Sequence, residues 1–129
     1  KTIQGKFVAP TPIEAQFADN PYVEQQCLVG LGMNKTIMVA VVSETMRDAP
    51  HDVIEASVLE TVEQLNEVVE KHARMGGVIL TYEPWSIENG VLTPTLKIKR
   101  DQISDRFGEE ASAMAVESAA SKTLVTRWR

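Results

Sequence analysis

The sequence has few of the residues that build disulfides or metal sites, and no long apolar run. Among its 129 residues there are one cysteine, Cys27, and two histidines, His51 and His72. A single thiol cannot form an internal disulfide, and these side chains are too few for a zinc site. No apolar run approaches the roughly 20 residues that span a bilayer, and the N-terminus has no signal-peptide core. A metal-free, soluble chain in a reducing cytoplasm is therefore expected.

Positive charge is also in short supply. Thirteen Lys and Arg stand against 18 Asp and Glu, which gives a net charge of −5. A surface of that sign repels a polyanion, so nucleic-acid binding is not expected. The chain has no GxxxxGK[ST] phosphate loop, and its two histidines support no Ser/His/Asp or Cys/His arrangement. The common catalytic motifs are absent, and the basic stretch TPTLKIKR at 93–100 stands out.

The first part of the chain predicts a hairpin, a short helix and two strands. TIQGKFVAP alternates around Gly5 and predicts a two-stranded hairpin over residues 1–9. Thr11, Pro12 and Glu14 form a capping-box pattern that begins a short helix. Two apolar segments rich in β-branched residues follow, separated by a Gly and Asn turn, and are typical of a strand pair.

The remainder predicts a long helix, a third core strand and two further helices. Apolar residues recur at spacings of three and four over residues 54–69, typical of an amphipathic helix, which Gly76 and Gly77 are expected to end. VILTY then predicts a strand, and residues 101–107 and 109–121 predict separate helices. The expected fold is a single α+β domain, in which a mostly three-stranded sheet packed with helices follows the hairpin.

The loop that ends in KIKR is the best candidate for a functional site. Pro94 fixes its backbone, and Thr93 and Thr95 offer hydroxyl groups, so a structured loop would present Lys97. In one interpretation, the basic residues are solvated charges at the end of a strand or helix. In the other, Lys97 is an anion-binding ammonium group on a rigid loop, where its long stem reaches a carboxylate or phosphate oxygen. The pattern alone leaves both open.

Two separated motifs resemble the AMP-forming adenylating enzymes. ENGVLTPTLKIKR is similar to their last signature motif, a Pro-Thr-Gly-Lys run followed by an apolar residue and an Arg. Its form resembles the long-chain fatty-acid CoA ligase branch, although Leu96 stands where most of the superfamily has Gly. The opening GKFVAPTPIEAQFADNPYVEQQCLVG resembles the segment just beyond the hinge of the same branch, which carries Val-Ala-Pro and an Ile-Glu pair. The resemblance covers nearly the whole of residues 1–107 and leaves the Ala-rich tail unsupported.

The resemblance implies that residues 1–129 are the mobile C-terminal domain, or lid, of an acyl-CoA synthetase. A start inside a strand pattern, with no initiator Met, also favours a piece of a longer protein. Its partner would be its own N-terminal adenylating domain, which would bind fatty acid, ATP and Mg²⁺, and CoA would be the second substrate. No cofactor would be bound tightly by the lid, membrane contact would be at most peripheral, and the isolated chain is expected to be inactive.

The same resemblance implies roles for four residues. Lys97 corresponds to the catalytic lysine that enters the active site while the acyl-adenylate forms. Arg100 and Thr95 of the same motif are assigned to cofactor contacts, and Arg100 also matches an arginine that braces the loop. Gly5 matches a hairpin glycine beside which the pantetheine of CoA would pass, although a turn glycine needed only for its geometry is the alternative. No metal ligand is assigned.

Other interpretations stay open at this point. A free-standing, non-catalytic binding module could keep this fold, and an adenylating enzyme could pass its acyl group to an acceptor other than CoA. Cys27 and Trp85 are expected to fill the core. Near the end, Arg127 and Trp128 could contact a membrane surface or CoA phosphates, but a frayed terminus is the default expectation.

Overall fold

The computed structural model describes residues 9–30 and 35–129. Its elements are α1 (Pro10–Phe17), β1 (Val23–Val29), β2 (Thr36–Val42), α2 (His51–Val68), β3 (Met75–Thr81), α3 (Arg100–Ser121) and β4 (Val125–Trp128), with 3-10 turns at Glu44–Met46 and Lys71–Ala73. The sheet order is β1-β2-β3-β4, with β1 antiparallel to β2 and the other neighbours parallel. The predicted α+β class is confirmed, but the sheet has four strands where mostly three were expected.

Two apolar layers cover the two faces of the sheet. All seven residues of β2 are buried, because successive side chains of a strand point to opposite faces and both faces are covered here. Helices α1 and α2 contribute to one layer, with Phe17, Ile54 and Val58 among its members. Helix α3 contributes to the other, with Ile103 and Met114. The basic loop that ends in KIKR packs on the α3 side.

The two glycines after α2 do not end that helix. Helix α2 ends at Val68, and the chain makes a 3-10 turn before β3 begins at Met75. Gly76 and Gly77 therefore lie inside β3, where a Cβ on Gly77 would sit 2.0 Å from the carbonyl oxygen of Val125. Glycine is needed at residue 77 because β4 passes so closely, which no local pattern in the sequence could reveal.

The two helices predicted over 101–107 and 109–121 are one continuous helix, α3. The apolar series Ile103, Phe107, Ala111 and Met114 is buried along it and keeps its spacing through Gly108. A Cβ on Gly108 would meet no atom within 4 Å, so this glycine lies on an open face. A single exposed glycine lowers helix stability by about 1 kcal/mol, which the buried series on either side offsets.

The last residues form a strand and are not frayed. β4 pairs in parallel with β3, and the ring of Trp128 stacks on His51 with 3.8 Å between centroids and an interplanar angle of 11°. Trp128 Nε1 donates to Glu55 Oε2 at 2.6 Å, and Arg127 pairs with Glu117 at 2.6 Å. The expectation of a frayed end is therefore wrong. The residues that hold β4 in place are distant in the sequence, so no local pattern indicates them.

Candidate active site

A turn organised by Asn89 leads into the basic loop. Asn89 Oδ1 accepts from the backbone N–H groups of Ser86 at 3.0 Å and Val91 at 3.3 Å, while Nδ2 donates to the carbonyl of Pro84 at 3.0 Å. Gly90 follows with φ at +82°, a conformation that glycine adopts without a steric penalty. The Asn-Gly turn predicted here is confirmed, and it directs the chain back towards α3.

The stem of the loop is a narrow antiparallel pair whose apolar side chains enter the core. Leu92 bridges to Ile98, and the N–H of Lys99 donates to the carbonyl of Val91 at 2.7 Å. Val91 and Leu92 are buried, and Ile98 packs against the α3-side layer. Trp85 belongs to the same layer, as predicted. The stem is therefore fixed to the body of the domain.

The tip of the loop, residues 93–97, is closed by hydrogen bonds from Thr93. The N–H of Thr93 donates to the carbonyl of Lys97 at 2.8 Å, and its carbonyl accepts from the N–H of Leu96 at 2.8 Å. Thr93 Oγ1 accepts from the N–H of Lys97 at 3.1 Å and lies 3.1 Å from Thr95 Oγ1. Leu96 completes the turn with φ at 66°. Both backbone polar groups of Lys97 are thus bonded to one residue.

Lys97 has a fixed backbone and an exposed side chain. Within residues 9–30 and 35–129, its ammonium group makes no hydrogen bond or ion pair. A rigid backbone limits where the ammonium group can reach, and its three donors stay available for an anionic ligand. Lys99 is also exposed. Thr95 is exposed as well, with a hydroxyl bonded to Thr93.

Arg100, the first residue of α3, anchors the base of the loop. Its guanidinium group donates to both carboxylate oxygens of Glu14, at 2.7 and 3.0 Å, and to the carbonyl of Leu28 at 3.0 Å. Glu14 Oε2 also accepts from the N–H of Leu28 at 2.6 Å. The pKa of Arg100 is raised, chiefly because its side chain donates to Glu14. This bidentate pair ties α1, β1 and α3 together.

The capping-box pattern predicts that Glu14 helps to cap α1, and this prediction is wrong. Helix α1 begins at Pro10, after Ala9, with no side-chain cap. The carboxylate turns instead to Arg100, 86 positions along the chain. Local sequence reasoning missed this partner. The available signal was that Glu14 and Arg100 belong to the two motifs on which the family resemblance depends.

Cys27 lies beneath this ion pair. Its thiol is 1% exposed, and Arg100 Nη1 lies 3.4 Å from its sulfur. Burial raises the pKa of the Cys27 thiol to about 12, although the positive charge of Arg100 acts in the opposite direction. The predicted buried thiol is confirmed, and it stays protonated at neutral pH.

Lys97, Thr95 and Arg100 belong to one short segment of the sequence, but their side chains have different environments. Lys97 and Thr95 lie at the exposed tip, whereas Arg100 donates inward to Glu14. Their assigned contacts with substrates or cofactors stay predictions. Gly5 lies outside the described residues, as does nearly all of the predicted hairpin over 1–9.

The described part of the chain offers neither a metal cluster nor a membrane span. There, no group of three His, Cys, Asp or Glu side chains is placed to hold a metal ion. None of the helices in residues 9–30 and 35–129 is long and apolar enough to cross a bilayer.

Comparison with known proteins finds relatives over most of this chain. The chain is 33% identical to the peroxisomal long chain acyl-CoA synthetase 7 of Arabidopsis thaliana over 98% of its length, and it spans 21% of that protein. It is 26% identical to the carboxylic acid reductase of Mycobacterium marinum over 84% of its length, and it spans 10% of that enzyme. The chain thus covers about a fifth or less of these relatives.

Solved structures give the same fold. The A-PCP didomain of the carboxylic acid reductase from Segniliparus rugosus, in complex with AMP, superposes with a TM-score of 0.76 at 22% identity, over 93% of this chain and 17% of that one. A family model for the C-terminal domain of AMP-binding enzymes matches residues 1–118, which include the loop and both partners of its anchoring ion pair. The chain belongs to that family of C-terminal domains of adenylate-forming enzymes.

Proposed function

We propose that this chain is the mobile C-terminal domain of an AMP-forming fatty acid CoA ligase, and that Lys97 is its adenylation lysine. The observation that carries the proposal is the geometry of the loop. An ammonium group without a partner in the described residues lies on a tip whose backbone is bonded through Thr93 and whose base is anchored by Arg100. The resemblance to long chain acyl-CoA synthetases supports the same reaction.

The first half-reaction explains why a fixed ammonium group is needed. A carboxylate oxygen attacks the α-phosphorus of ATP, an acyl–O–P bond forms, and the bond to the pyrophosphate leaving group breaks. Two anions approach each other, so charge accumulates between the carboxylate and the phosphate. An ammonium group that contacts both oxygens lowers this repulsion in the transition state, and its fixed position means that little reorganisation is required. Removing a comparable group costs about 10²-fold or more in rate.

The rest of the catalytic machinery would come from the adenylating domain. This chain spans 21% of its acyl-CoA synthetase relative, and ATP and the acyl chain would be held by the remainder. Mg²⁺ would bind there too, as the family resemblance implies. After adenylation, rotation of this domain would withdraw Lys97 and bring the hairpin that contains Gly5 to the site for attack by CoA.

The anchoring contacts suggest different roles within the motif. Arg100 is directed inward to Glu14 and Leu28, so we assign it to positioning the loop. Thr95 is exposed beside Lys97, and we assign its hydroxyl, which bonds Thr93 in this structure, to a contact with a phosphate oxygen. Neither residue alone would supply the charge that the reaction needs.

A second candidate differs only in the acceptor of the acyl group. The relatives include the long-chain-fatty-acid–[acyl-carrier-protein] ligase AEE15 of Arabidopsis thaliana, 28% identical over 82% of this chain, besides carboxylic acid reductases. An acyl carrier protein is thus an alternative to CoA. Incubating the enzyme-bound adenylate with CoA or with an acyl carrier protein, and measuring which thioester forms, separates the two.

The decisive experiment compares two half-reactions in the full-length protein, this chain joined to its adenylating domain. Lys97→Ala is expected to lower fatty-acid-dependent pyrophosphate release by about 10²-fold or more, while thioester formation from supplied acyl-adenylate survives. Lys99→Ala is the matched control, because Lys99 is exposed two residues away, and it should stay within about threefold of wild type.

Each half-reaction can contradict the proposal. If Lys97→Ala releases pyrophosphate at the wild-type rate, the basic cluster is surface charge and the assignment is wrong. If both half-reactions are lost in a protein that unfolds at the wild-type temperature, Lys97 is not specific to adenylation. A full-length protein without any fatty-acid-dependent pyrophosphate release would favour the non-catalytic module.

A further inference from the structure

Leu96 combines two unfavourable features at the tip of the loop. Its φ is 66°, in the left-handed region that bulky side chains rarely adopt. Its side chain is 66% exposed and belongs to neither apolar layer of the core. Backbone strain of this kind concentrates at functional sites, where surrounding hydrogen bonds maintain it.

The turn explains the backbone of Leu96 but not its side chain. The N–H of Leu96 donates to Thr93, and Thr93 in turn bonds Lys97, so residue 96 must take the left-handed conformation to close the tip. Glycine would meet that requirement with less strain. Within the described residues the leucine side chain joins neither apolar layer, so packing in this domain gives no reason for a bulky residue at this strained position.

We propose, on the basis of the function proposed above, that Leu96 packs against an apolar surface of the adenylating domain when Lys97 reaches the reacting groups. Consecutive Cα atoms are about 3.8 Å apart, so Leu96 must enter the same cleft as Lys97. In that cleft the exposed side chain would be removed from water, which is favourable for an apolar group. The contact exists only in the adenylation state, and so it favours that state over others.

Other exposed apolar residues provide the contrast. Val116 is 69% exposed, slightly more than Leu96, but it lies within the regular helix α3. Scattered apolar side chains on a surface are normal and need no partner. Leu96 differs because its exposure coincides with a strained backbone beside the lysine, and Val116 is accordingly the matched control.

The test uses the full-length protein and four variants. Leu96→Gly removes the side chain and relieves the strain, so its unfolding temperature should equal or exceed that of wild type. Its kcat/KM for pyrophosphate release should nevertheless fall on the order of tenfold, as for the loss of one buried leucine contact. Leu96→Ala should lose a similar amount, and Leu96→Met should restore most of it. Val116→Ala should change kcat/KM by less than about twofold.

Two further measurements identify what the Leu96 side chain contacts and in which half-reaction it does so. The loss in Leu96→Gly should be the same for short and long fatty acids, because the contact is with protein. Thioester formation from supplied acyl-adenylate should be unchanged. A loss that grows with acyl length would mean that Leu96 touches the substrate, and wild-type adenylation in Leu96→Gly would mean that it touches nothing. Either result overturns the proposal.

Lys97→Ala in the same assay separates this inference from the function on which it depends. If Lys97→Ala loses adenylation while Leu96→Gly retains it, the inference alone fails. If Lys97→Ala also adenylates at the wild-type rate, the proposed function fails, and the inference fails with it.

Discussion

The base and the tip of the basic loop use positive charge in opposite ways. At the base, the Arg100 guanidinium group is directed into the domain. It donates to the Glu14 carboxylate and the Leu28 carbonyl, and it lies 3.4 Å from the Cys27 sulfur. At the tip, the ammonium group of Lys97 has no partner among residues 9–30 and 35–129. Two cations three positions apart thus differ in function. An arginine whose donors are satisfied internally fixes geometry, whereas a lysine left unpaired on a fixed backbone is available to a substrate.

The largest effect on stability is expected from removing the Arg100–Glu14 ion pair at the base of the loop. Arg100→Ala should lower the free energy of unfolding by about 2 kcal/mol, between the values for exposed and fully buried ion pairs, because the Glu14 carboxylate loses its counter-ion. The side chain of Arg100 is 36% exposed and that of Glu14 is 14% exposed, which places the pair in that intermediate class. Urea denaturation of the full-length protein measures the change.

Lys97→Ala is the control for this comparison, and it should change the free energy of unfolding by less than about 0.5 kcal/mol. Arg100→Lys should recover part of the stability but not all of it, because an ammonium group cannot reproduce the bidentate geometry. Equal free energies of unfolding for the Arg100→Ala and Lys97→Ala variants would show that the base and the tip contribute equally to stability, against this prediction.

A smaller effect is expected from loosening the tip alone. Thr93→Val removes the hydroxyl that accepts from the N–H of Lys97, a loss of about 1 kcal/mol in local stability. Amide hydrogen exchange at Lys97 should become faster by about fivefold, while exchange along β3 is unchanged. Thr95→Val is the control, because its hydroxyl bonds only the Thr93 side chain. Unaltered exchange at Lys97 in Thr93→Val would mean that the tip is held by other contacts.

At neutral pH the smallest effect is that of Cys27, because its thiol keeps the proton in both the folded and the unfolded chain. Burial raises the pKa of this thiol from 9.0 to about 12. Between those values the unfolded chain has lost the proton and the folded chain has kept it, so the free energy of unfolding falls as pH rises. The slope from this one group cannot exceed about 1.4 kcal/mol per pH unit. Below about pH 8 the thiol contributes almost no pH dependence, because it keeps its proton in both states.

Unfolding measured between pH 8 and 10.5 checks this expectation. Wild type should lose stability more steeply than Cys27→Ala above pH 9, and the native thiol should react slowly with a thiol reagent at pH 8. Parallel curves for the two proteins, or rapid reaction of the native thiol, would place Cys27 outside the buried base of the loop.

Sequence patterns predicted the features that depend on neighbouring residues. The amphipathic helix α2, the strands β1 to β3 and the turn at Asn89 and Gly90 follow from local periodicity and turn chemistry, and they were found. The features that sequence reasoning missed depend on distant partners. Glu14 meets Arg100 across 86 positions, and residue 77 within β3 must be glycine because Val125 passes close to it. Tertiary contacts of this kind have no local signature.

The strand β4 also covers one edge of the strand β3. The family match ends at residue 118, before β4 begins. Without β4, the apolar strand β3 would offer an open row of backbone N–H and C=O groups, which invites pairing with other chains. β4 is only four residues long and carries Arg127, with Arg129 just beyond it, and short, charged edges discourage such pairing. The backbone of β3 is therefore paired on both sides, with β2 and with β4.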